Sequence, residues 1–271
     1  MKIQKWYIHI LLIFGAFIMV IPFLWMLSTS LKTFTESMQV PPTIFPKEWK
    51  FDNYLEVFTA VDYLKYYSNT IFVTVGRTAA QLLLCSLAAF AFARLKFPFK
   101  NVIFILLLSV LMVPAQVVMI PSFVIMSKLG WINTFYALIV PGMFSAFGVF
   151  LLRQFFMSIP KELDEAAKID GCTLWGIYWR IILPLSKPAL VALAIFTILA
   201  SWNDFLWPLT MTNSEDMRVL SVGIATFQGQ HATDYPLLMA GALMATVPMI
   251  LLFLFLQKYL IEGITLSGVR K

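Results

Sequence analysis

Long apolar stretches separated by short polar segments run through the whole chain. Six of them have about 20 or more residues, the length that an α-helix needs to cross the ~30 Å hydrocarbon core of a bilayer. They cover residues 8–31, 69–93, 102–126, 134–152, 185–209 and 237–257. Strict alternation of apolar and polar residues is absent from them, which disfavours a transmembrane β-barrel. The pattern predicts an all-α polytopic membrane protein with six transmembrane helices.

Composition supports the same class. Of the 271 residues, 60% are hydrophobic and 13% are charged, and the mean hydropathy is +0.83. A soluble domain is nearer half apolar and a quarter charged. Several prolines fall inside the predicted spans, where bilayer helices tolerate proline and kink at it. They are Pro114, Pro121, Pro141, Pro188 and Pro248.

The distribution of Lys and Arg predicts the orientation. Most of these residues fall on one side of the spans if the N-terminus is cytoplasmic, and the short turn RLKFPFK at 94–100 is the clearest case because short loops follow the positive-inside rule best. We therefore expect a multi-pass protein of a prokaryotic plasma membrane with both termini cytoplasmic, and a first span that is retained rather than cleaved. Anchoring to inner-leaflet lipid explains the pI of about 9.3, so no nucleic acid is needed.

The fourth and fifth predicted spans are separated by the charged stretch DEAAKIDGCTLWGIYWRIILP at 164–184. Pro160 is well placed to begin a first helix there, with Ser158 as a possible cap just before it. Four residues spaced i, i+3, i+4 and i+7 would share one face of it. They are Leu163, Ala166, Ala167 and Asp170.

A turn is expected next in this stretch. Gly171 can take the left-handed conformation that ends a helix. Thr173 can then cap a second, aromatic helix that runs to Pro184. The predicted face of the first helix has little apolar area for membrane binding at ~25 cal/mol per Å². We therefore favour a cytoplasmic protein partner over a helix that lies on the inner leaflet.

The spacing E-A-A, three residues, G, nine residues and I-x-L-P resembles the EAA loop of ABC importer permeases. The matching residues are Glu165, Ala166, Ala167, Gly171, Ile181, Leu183 and Pro184. Nearly the whole chain is similar to the maltose-type, sugar-importing branch of that family. The similar stretches are PFLWMLSTSLK (22–32), LMVPAQVVMIPSF (111–123), PKELDEAAKIDG (160–171), SWNDFLWPL (201–209) and EGITLSGVRK (262–271).

This resemblance implies an ABC type-1 importer permease fold with a cytoplasmic coupling helix between spans 4 and 5. It implies a first helix and external loop over 1–68, a permease domain over 69–262 with the coupling loop at 158–184, and a cytoplasmic tail over 263–271. The loop would dock on a separate ATPase subunit through the seven matching residues together with Leu163 and Asp170.

The resemblance also implies the partners, which are a second related permease, two ATPase subunits and an external sugar-binding protein. The loop 210–236 would contact that binding protein. The chain has no G-x-x-x-x-G-K-[ST] motif, so we expect no cofactor of its own, with ATP and Mg²⁺ on the partner ATPase, and a transport subunit rather than an enzyme.

Candidate substrate contacts cluster near the outer end of the fifth span. Trp202, Asn203, Asp204 and Trp207 combine aromatic faces with hydrogen-bonding groups, which suits a sugar path. An aromatic belt at the membrane interface is the alternative interpretation. Arg77, inside the second span, either reaches the outer surface or pairs with a polar group of the partner permease.

The function predicted from these patterns is ATP-driven import of a sugar, with a di- or oligosaccharide favoured. A permease for glycerol phosphate or another polar solute is the nearest alternative. A self-sufficient channel or secondary transporter leaves the charged stretch without a purpose. An integral-membrane enzyme is disfavoured because the spans contain few acids.

Overall fold

The computed structural model describes residues 3–229 and 233–268 of the chain, with side chains described for 6–229 and 233–257. Gln230, His231 and the basic residues Lys2, Lys5, Lys258, Arg270 and Lys271 therefore lie outside the described side chains. The described chain is helical throughout, apart from loops and one isolated bridge between Gln228 and Thr233. The first helices in chain order are α1 (Ile3–Ser30), α2 (Phe34–Ser37), α3 (Asn53–Ala60), α4 (Tyr63–Arg94), α5 (Lys100–Ser109), α6 (Ala115–Lys128), α7 (Phe135–Ile139) and α8 (Ala146–Ser158). They are followed by α9 (Glu162–Ile169), α10 (Leu174–Ile177), α11 (Leu183–Leu185), α12 (Lys187–Trp202), α13 (Leu206–Met211), α14 (Leu220–Ala225) and α15 (Tyr235–Gly268).

Within the described residues, four helices are long and apolar enough to cross a membrane, and up to six if each of two bent helix pairs is one span. The four are Trp6–Ser30, Tyr63–Arg94, Phe135–Ser158 and Tyr235–Gln257. The bent pairs are Lys100–Met112 with Ala115–Lys128, and Leu174–Leu185 with Lys187–Trp202. All six predicted apolar stretches thus coincide with long helices or bent pairs.

The breaks in these spans coincide with prolines, as predicted. The first pair bends by 101° beside Pro114, which precedes the first residue of α6 and lacks the N–H that a continuous helix needs. The second pair bends by 76° at Ser186, just before Pro188 in the first turn of α12. Pro141 lies in a short 3₁₀ turn between α7 and α8. Pro121 and Pro248 are accommodated inside α6 and α15.

The chain divides into two compact units. The first comprises Met1–Tyr67 and Leu220–Ile250. In it, the segment after α1 is tied down by buried polar groups. The Asn53 amide donates to the carbonyls of Ser30 and Lys32 at 2.8 and 2.9 Å, and the Glu36 carboxylate accepts from the backbone N–H of Lys47 at 2.9 Å. The predicted external loop is therefore an ordered segment.

The second unit comprises Ser68–Val219 and Leu251–Lys271. Its core is formed by α4, α5, α8, α12 and the segment 159–182. The buried residues of this core are Cys85, Ala89, Phe90, Phe92, Phe104, Val149, Leu152, Phe156, Ile159, Ala167, Ile177, Tyr178, Ile182, Ala189 and Leu193. The charged stretch between spans 4 and 5 consequently contributes to the core of this unit.

Candidate coupling and substrate-path sites

The charged stretch has the predicted helix–turn–helix form. Its first helix is α9, and Gly171 then adopts a φ of 79°, as expected for a residue that ends a helix in the left-handed region. The Thr173 hydroxyl accepts a hydrogen bond from the Gly176 N–H at 3.2 Å and caps α10. The second helix is less regular than predicted, because residues 178–182 form a π-helical turn before α11. We call residues 159–186 the insert.

The predicted beginning of the first helix is wrong in one detail. Ser158 is the last residue of α8, and its hydroxyl donates to the Phe155 carbonyl at 2.7 Å. Lys161 takes the cap position of α9 without a side-chain hydrogen bond. Because three acids occupy the first turn of α9, their charges favourably oppose the positive end of the helix dipole.

The predicted outward face of α9 is also wrong at one residue. Ala167 is buried in the core of the second unit, so it does not lie on a surface that a partner can approach. The covered face contains Asp164 and Ala167, which are spaced i, i+3. The other predicted coupling residues are exposed or half-buried. Leu163, Glu165, Ala166, Asp170, Gly171 and Pro184 are exposed, whereas Ile181 and Leu183 are half-buried against the core.

A buried ion pair attaches α9 to the end of α4. Arg94 Nε lies 2.8 Å from Asp164 Oδ2, and the two side chains are only 5% and 10% exposed. The Arg94 guanidinium also donates to the Ile159 carbonyl at 2.9 Å, so it contacts the chain on both sides of Lys161. Burial raises the pKa of Asp164, and the charge of Arg94 opposes that shift only in part.

The second helix of the insert is anchored to α4 by an aromatic residue. Tyr178 is buried and its hydroxyl shares a hydrogen bond of 2.7 Å with the Ser86 hydroxyl. The Tyr178 ring lies 5.3 Å from the ring of Phe90. Ile177 and Ile182 are buried on either side of it. Both helices of the insert are therefore held by the chain itself.

Large apolar side chains nevertheless remain exposed on the insert. Ile169 is 87% exposed and Trp175 is 62% exposed. We call five of the exposed apolar residues of the insert its apolar face, and they are Leu163, Ala166, Ile169, Leu174 and Trp175. Single exposed apolar side chains are common on proteins, but a group of them on an anchored motif is typical of an interaction site.

The four residues predicted to contact substrate have different surroundings in the structure. Trp202 is buried at the end of α12, and the Trp207 indole N–H donates to the Ala137 carbonyl at 2.9 Å. Asn203 is exposed, and its amide donates to the Leu199 carbonyl at 2.8 Å. Asp204 lines a cleft, which is described below. The two tryptophans thus have packing and hydrogen-bonding roles here.

Arg77 is buried, contrary to the prediction that it reaches the outer surface. Arg77 Nη1 donates to Asp204 Oδ2 at 2.8 Å, so the arginine pairs within its own chain. Its Nε donates to the Leu138 carbonyl at 2.6 Å. An ionisable residue inside a span usually faces the bundle interior or water, which agrees with this position.

Arg77 and Asp204 line one side of a cleft of about 410 Å³ in the second unit. Gln81 and Thr197 continue the polar side, while Phe147 and Phe196 supply aromatic rings. Apart from Asp204, sequence reasoning missed this group because its members come from three separated segments, residues 77–81, 142–147 and 193–204. The presence of an arginine near the middle of a span was the available signal, since such a residue needs a partner.

Comparison with known proteins adds independent information. Residues 81–265 match the model of the family described as "binding-protein-dependent transport system inner membrane component". The chain is 39% identical to the arabinooligosaccharides transport system permease protein AraQ of Halalkalibacterium halodurans, over 99% of this chain and 97% of the relative. It is 34% identical to the sulfoquinovosyl glycerol transport system permease protein SmoH of Agrobacterium fabrum, over 96% and 91%.

A solved structure shares the fold. It is the crystal structure of a bacterial ABC transporter involved in the import of the acidic polysaccharide alginate. One of its chains superposes with a TM-score of 0.83 at 23% sequence identity, covering 96% of this chain and 97% of that chain.

Proposed function

This chain belongs to the binding-protein-dependent inner membrane components of ABC transporters, and we propose that it is one permease of an importer whose cargo is a saccharide. As a member of this family it is a multi-pass membrane transport subunit rather than an enzyme. The transport systems named for the relatives carry an arabinooligosaccharide and a sulfoquinovosyl glycerol, and both are built from sugars. This supports a saccharide cargo over glycerol phosphate or another small solute.

We further propose that the insert couples this chain to an ATPase subunit. The observation that carries this proposal is the combination of anchorage and exposure. Arg94 and Tyr178 hold the insert to α4, whereas Ile169 and Trp175 remain open to a partner. A motif held rigidly on one side can transmit a displacement applied to its other side, which a loosely tethered loop cannot do.

The assembly proposed around this chain contains a second related permease, two ATPase subunits that carry ATP and Mg²⁺, and an external binding protein. The apolar surface that this chain leaves uncovered on its first span supports a second permease. None of the apolar window of the span Trp6–Ser30 is buried, against a third of the window in Tyr63–Arg94. We propose that both termini and the insert lie in the cytoplasm, because that orientation keeps the basic turn 94–100 inside.

The docking role can be tested at Ile169. Ile169→Glu places a charge on the apolar face without disturbing the core, because the side chain is almost fully exposed. We expect the tagged permease to assemble normally in the membrane and to lose the ATPase subunit during purification. Val40→Glu is the matched control, since Val40 is a similarly exposed apolar residue on another loop. Retention of the ATPase by Ile169→Glu would contradict coupling through this face.

The orientation can be tested at Cys172, which is partly exposed in the turn of the insert. An impermeant maleimide should label it in inside-out vesicles and fail to label it in intact cells with a permeabilised outer wall. Cys85 is buried, so it should react poorly from either side. Strong labelling of Cys172 from outside would reverse the proposed orientation.

A further inference from the structure

The cleft between Arg77 and Phe196 has the two kinds of lining that a sugar ring requires. Its volume of about 410 Å³ falls within the ~300–1,000 Å³ that is usual for small-molecule sites. One part is polar and contains Arg77, Gln81 and Asp204, and another part contains Phe147. Such sites are mostly apolar, with a few placed polar groups that fix the orientation of the ligand.

The polar groups are held in place by the protein. Gln81 Nε2 donates to the Gly142 carbonyl at 2.7 Å, and its Oε1 accepts from the Thr197 hydroxyl at 2.9 Å. The Arg77 guanidinium is fixed between the Leu138 carbonyl and the Asp204 carboxylate. Preorganised donors and acceptors reduce the entropy that is lost when a flexible, hydroxyl-rich ligand binds.

The aromatic groups are placed for contact with the C–H face of a ring. Phe147 and Phe196 meet edge to face, with ring centroids 5.7 Å apart and planes at 88°. They remain 40% and 49% exposed although they line the cleft, so their faces are not fully covered by this chain. An aromatic face is electron-rich and attracts the polarised C–H groups of a sugar.

The charges of the lining indicate what kind of sugar fits. Arg77 and Asp204 form one cation and one anion at 2.8 Å, and no other ionisable side chain is among the described residues that line the cleft. A matched pair offers both donors and acceptors to hydroxyl groups, which can donate and accept in turn. A carboxylated, sulfonated or phosphorylated ligand would find Arg77 already neutralised and Asp204 repulsive.

From this geometry we infer that the cleft is a binding subsite for an uncharged saccharide unit, which rests on the proposed import function. Hydroxyls of the sugar would bind to Arg77, Asp204 and Gln81, and its ring would contact Phe147 and Phe196. Substrate recognition would thus involve this chain and would favour uncharged sugars.

The test is protection of a cysteine placed in the cleft. Ala200 is exposed and lines the cleft, so Ala200→Cys is introduced together with Cys172→Ser in the purified transporter complex. The rate at which the cysteine of Ala200→Cys reacts with a maleimide is then measured in the presence of arabinotriose, maltotriose or an alginate trisaccharide, each at high millimolar concentration. We expect at least one of the two neutral sugars to slow the reaction several-fold and the acidic sugar to leave it unchanged. Asn203→Cys, exposed outside the lining, should react at the same rate in all cases.

A second variant tests whether the protection comes from the proposed contacts. Phe196→Ala should reduce protection by about tenfold in apparent affinity, with an unchanged melting temperature because the side chain is half-exposed. The inference would be overturned if the acidic sugar protected the cysteine or if none of the sugars protected it. It would also be overturned if protection were equally strong in Phe196→Ala. Coupling to the ATPase is read separately from copurification, so the subsite can fail while the proposed function stands.

Discussion

Two Arg–Asp pairs have their arginines on the same helix, and they differ in what surrounds them. Arg77 and Arg94 both belong to α4, and each contacts an aspartate at 2.8 Å from a distant part of the chain. Arg77 and Asp204 are 10% and 23% exposed and border an open cleft, whereas Arg94 and Asp164 are 5% and 10% exposed inside the core. The same chemical pair thus occurs once beside an open cleft and once in the packed interior.

Hydrogen bonding shows the same difference. Asp204 Oδ1 lies 3.4 Å from the backbone N–H of Trp207, which donates to it. Asp164 Oδ1 and Arg94 Nη1 have no hydrogen-bond partner among the described residues. A buried pair with unsatisfied atoms contributes little net stability, but loss of either partner alone is costly. We conclude that the pair at Arg94 determines where α9 packs, while the pair at Arg77 is accessible to a ligand.

The two pairs should differ most in how much stability is lost when the aspartate is removed. Asp164→Ala leaves the Arg94 charge buried and unpaired, which should cost about 3–5 kcal/mol in the free energy of unfolding. Asp204→Ala should cost less, because water in the cleft can solvate Arg77. Melting temperatures of the purified permease measure both.

The matching control removes both charges of the buried pair. The double variant Arg94→Met with Asp164→Leu should recover most of the stability lost in Asp164→Ala, because replacing a buried pair by apolar residues is often neutral. A larger loss for Asp204→Ala than for Asp164→Ala would reverse the roles assigned to the two regions.

An intermediate effect comes from the same substitution in each region. Ala167→Trp overfills the core around the insert and should cost typically about 1–3 kcal/mol in the free energy of unfolding. Ala200→Trp enters the cleft, so it should leave stability near that of the wild type and reduce substrate uptake. Melting temperature and uptake by the reconstituted transporter distinguish the two. Wild-type stability of Ala167→Trp would show that the insert is not packed as described.

The smallest effect compares two glycines that are required for different reasons. A side chain at Gly171 meets open space but must adopt a φ of 79°, so Gly171→Val should cost roughly 1–2 kcal/mol through backbone strain. At Gly142 a Cβ would lie 2.8 Å from Arg77 Nε, so Gly142→Ala should displace the arginine.

We expect Gly171→Val to weaken stimulation of ATPase activity by the loaded binding protein, and Gly142→Ala to weaken uptake at unchanged stimulation. Gly171→Asn is the control for strain, because asparagine tolerates the left-handed region. Equal effects of Val and Asn at Gly171 would contradict the backbone explanation.

The helical spans and the local form of the insert could be predicted from the sequence alone. Both follow from neighbouring residues. A run of about 20 apolar residues can satisfy its backbone in a bilayer only as a helix, proline interrupts such a helix, and a glycine followed by a capping threonine separates α9 from α10. These features needed no knowledge of the rest of the chain.

Which face of α9 is covered, and which groups form the cleft, became visible only in the folded chain. Helical periodicity shows that residues share a face, but in a chain this apolar it does not show which face the protein itself covers. Asp204 lies 127 residues from Arg77, and Asp164 lies 70 residues (164 − 94) from Arg94. Such contacts leave no local pattern, because burial and pairing depend on elements that meet only after the chain has folded.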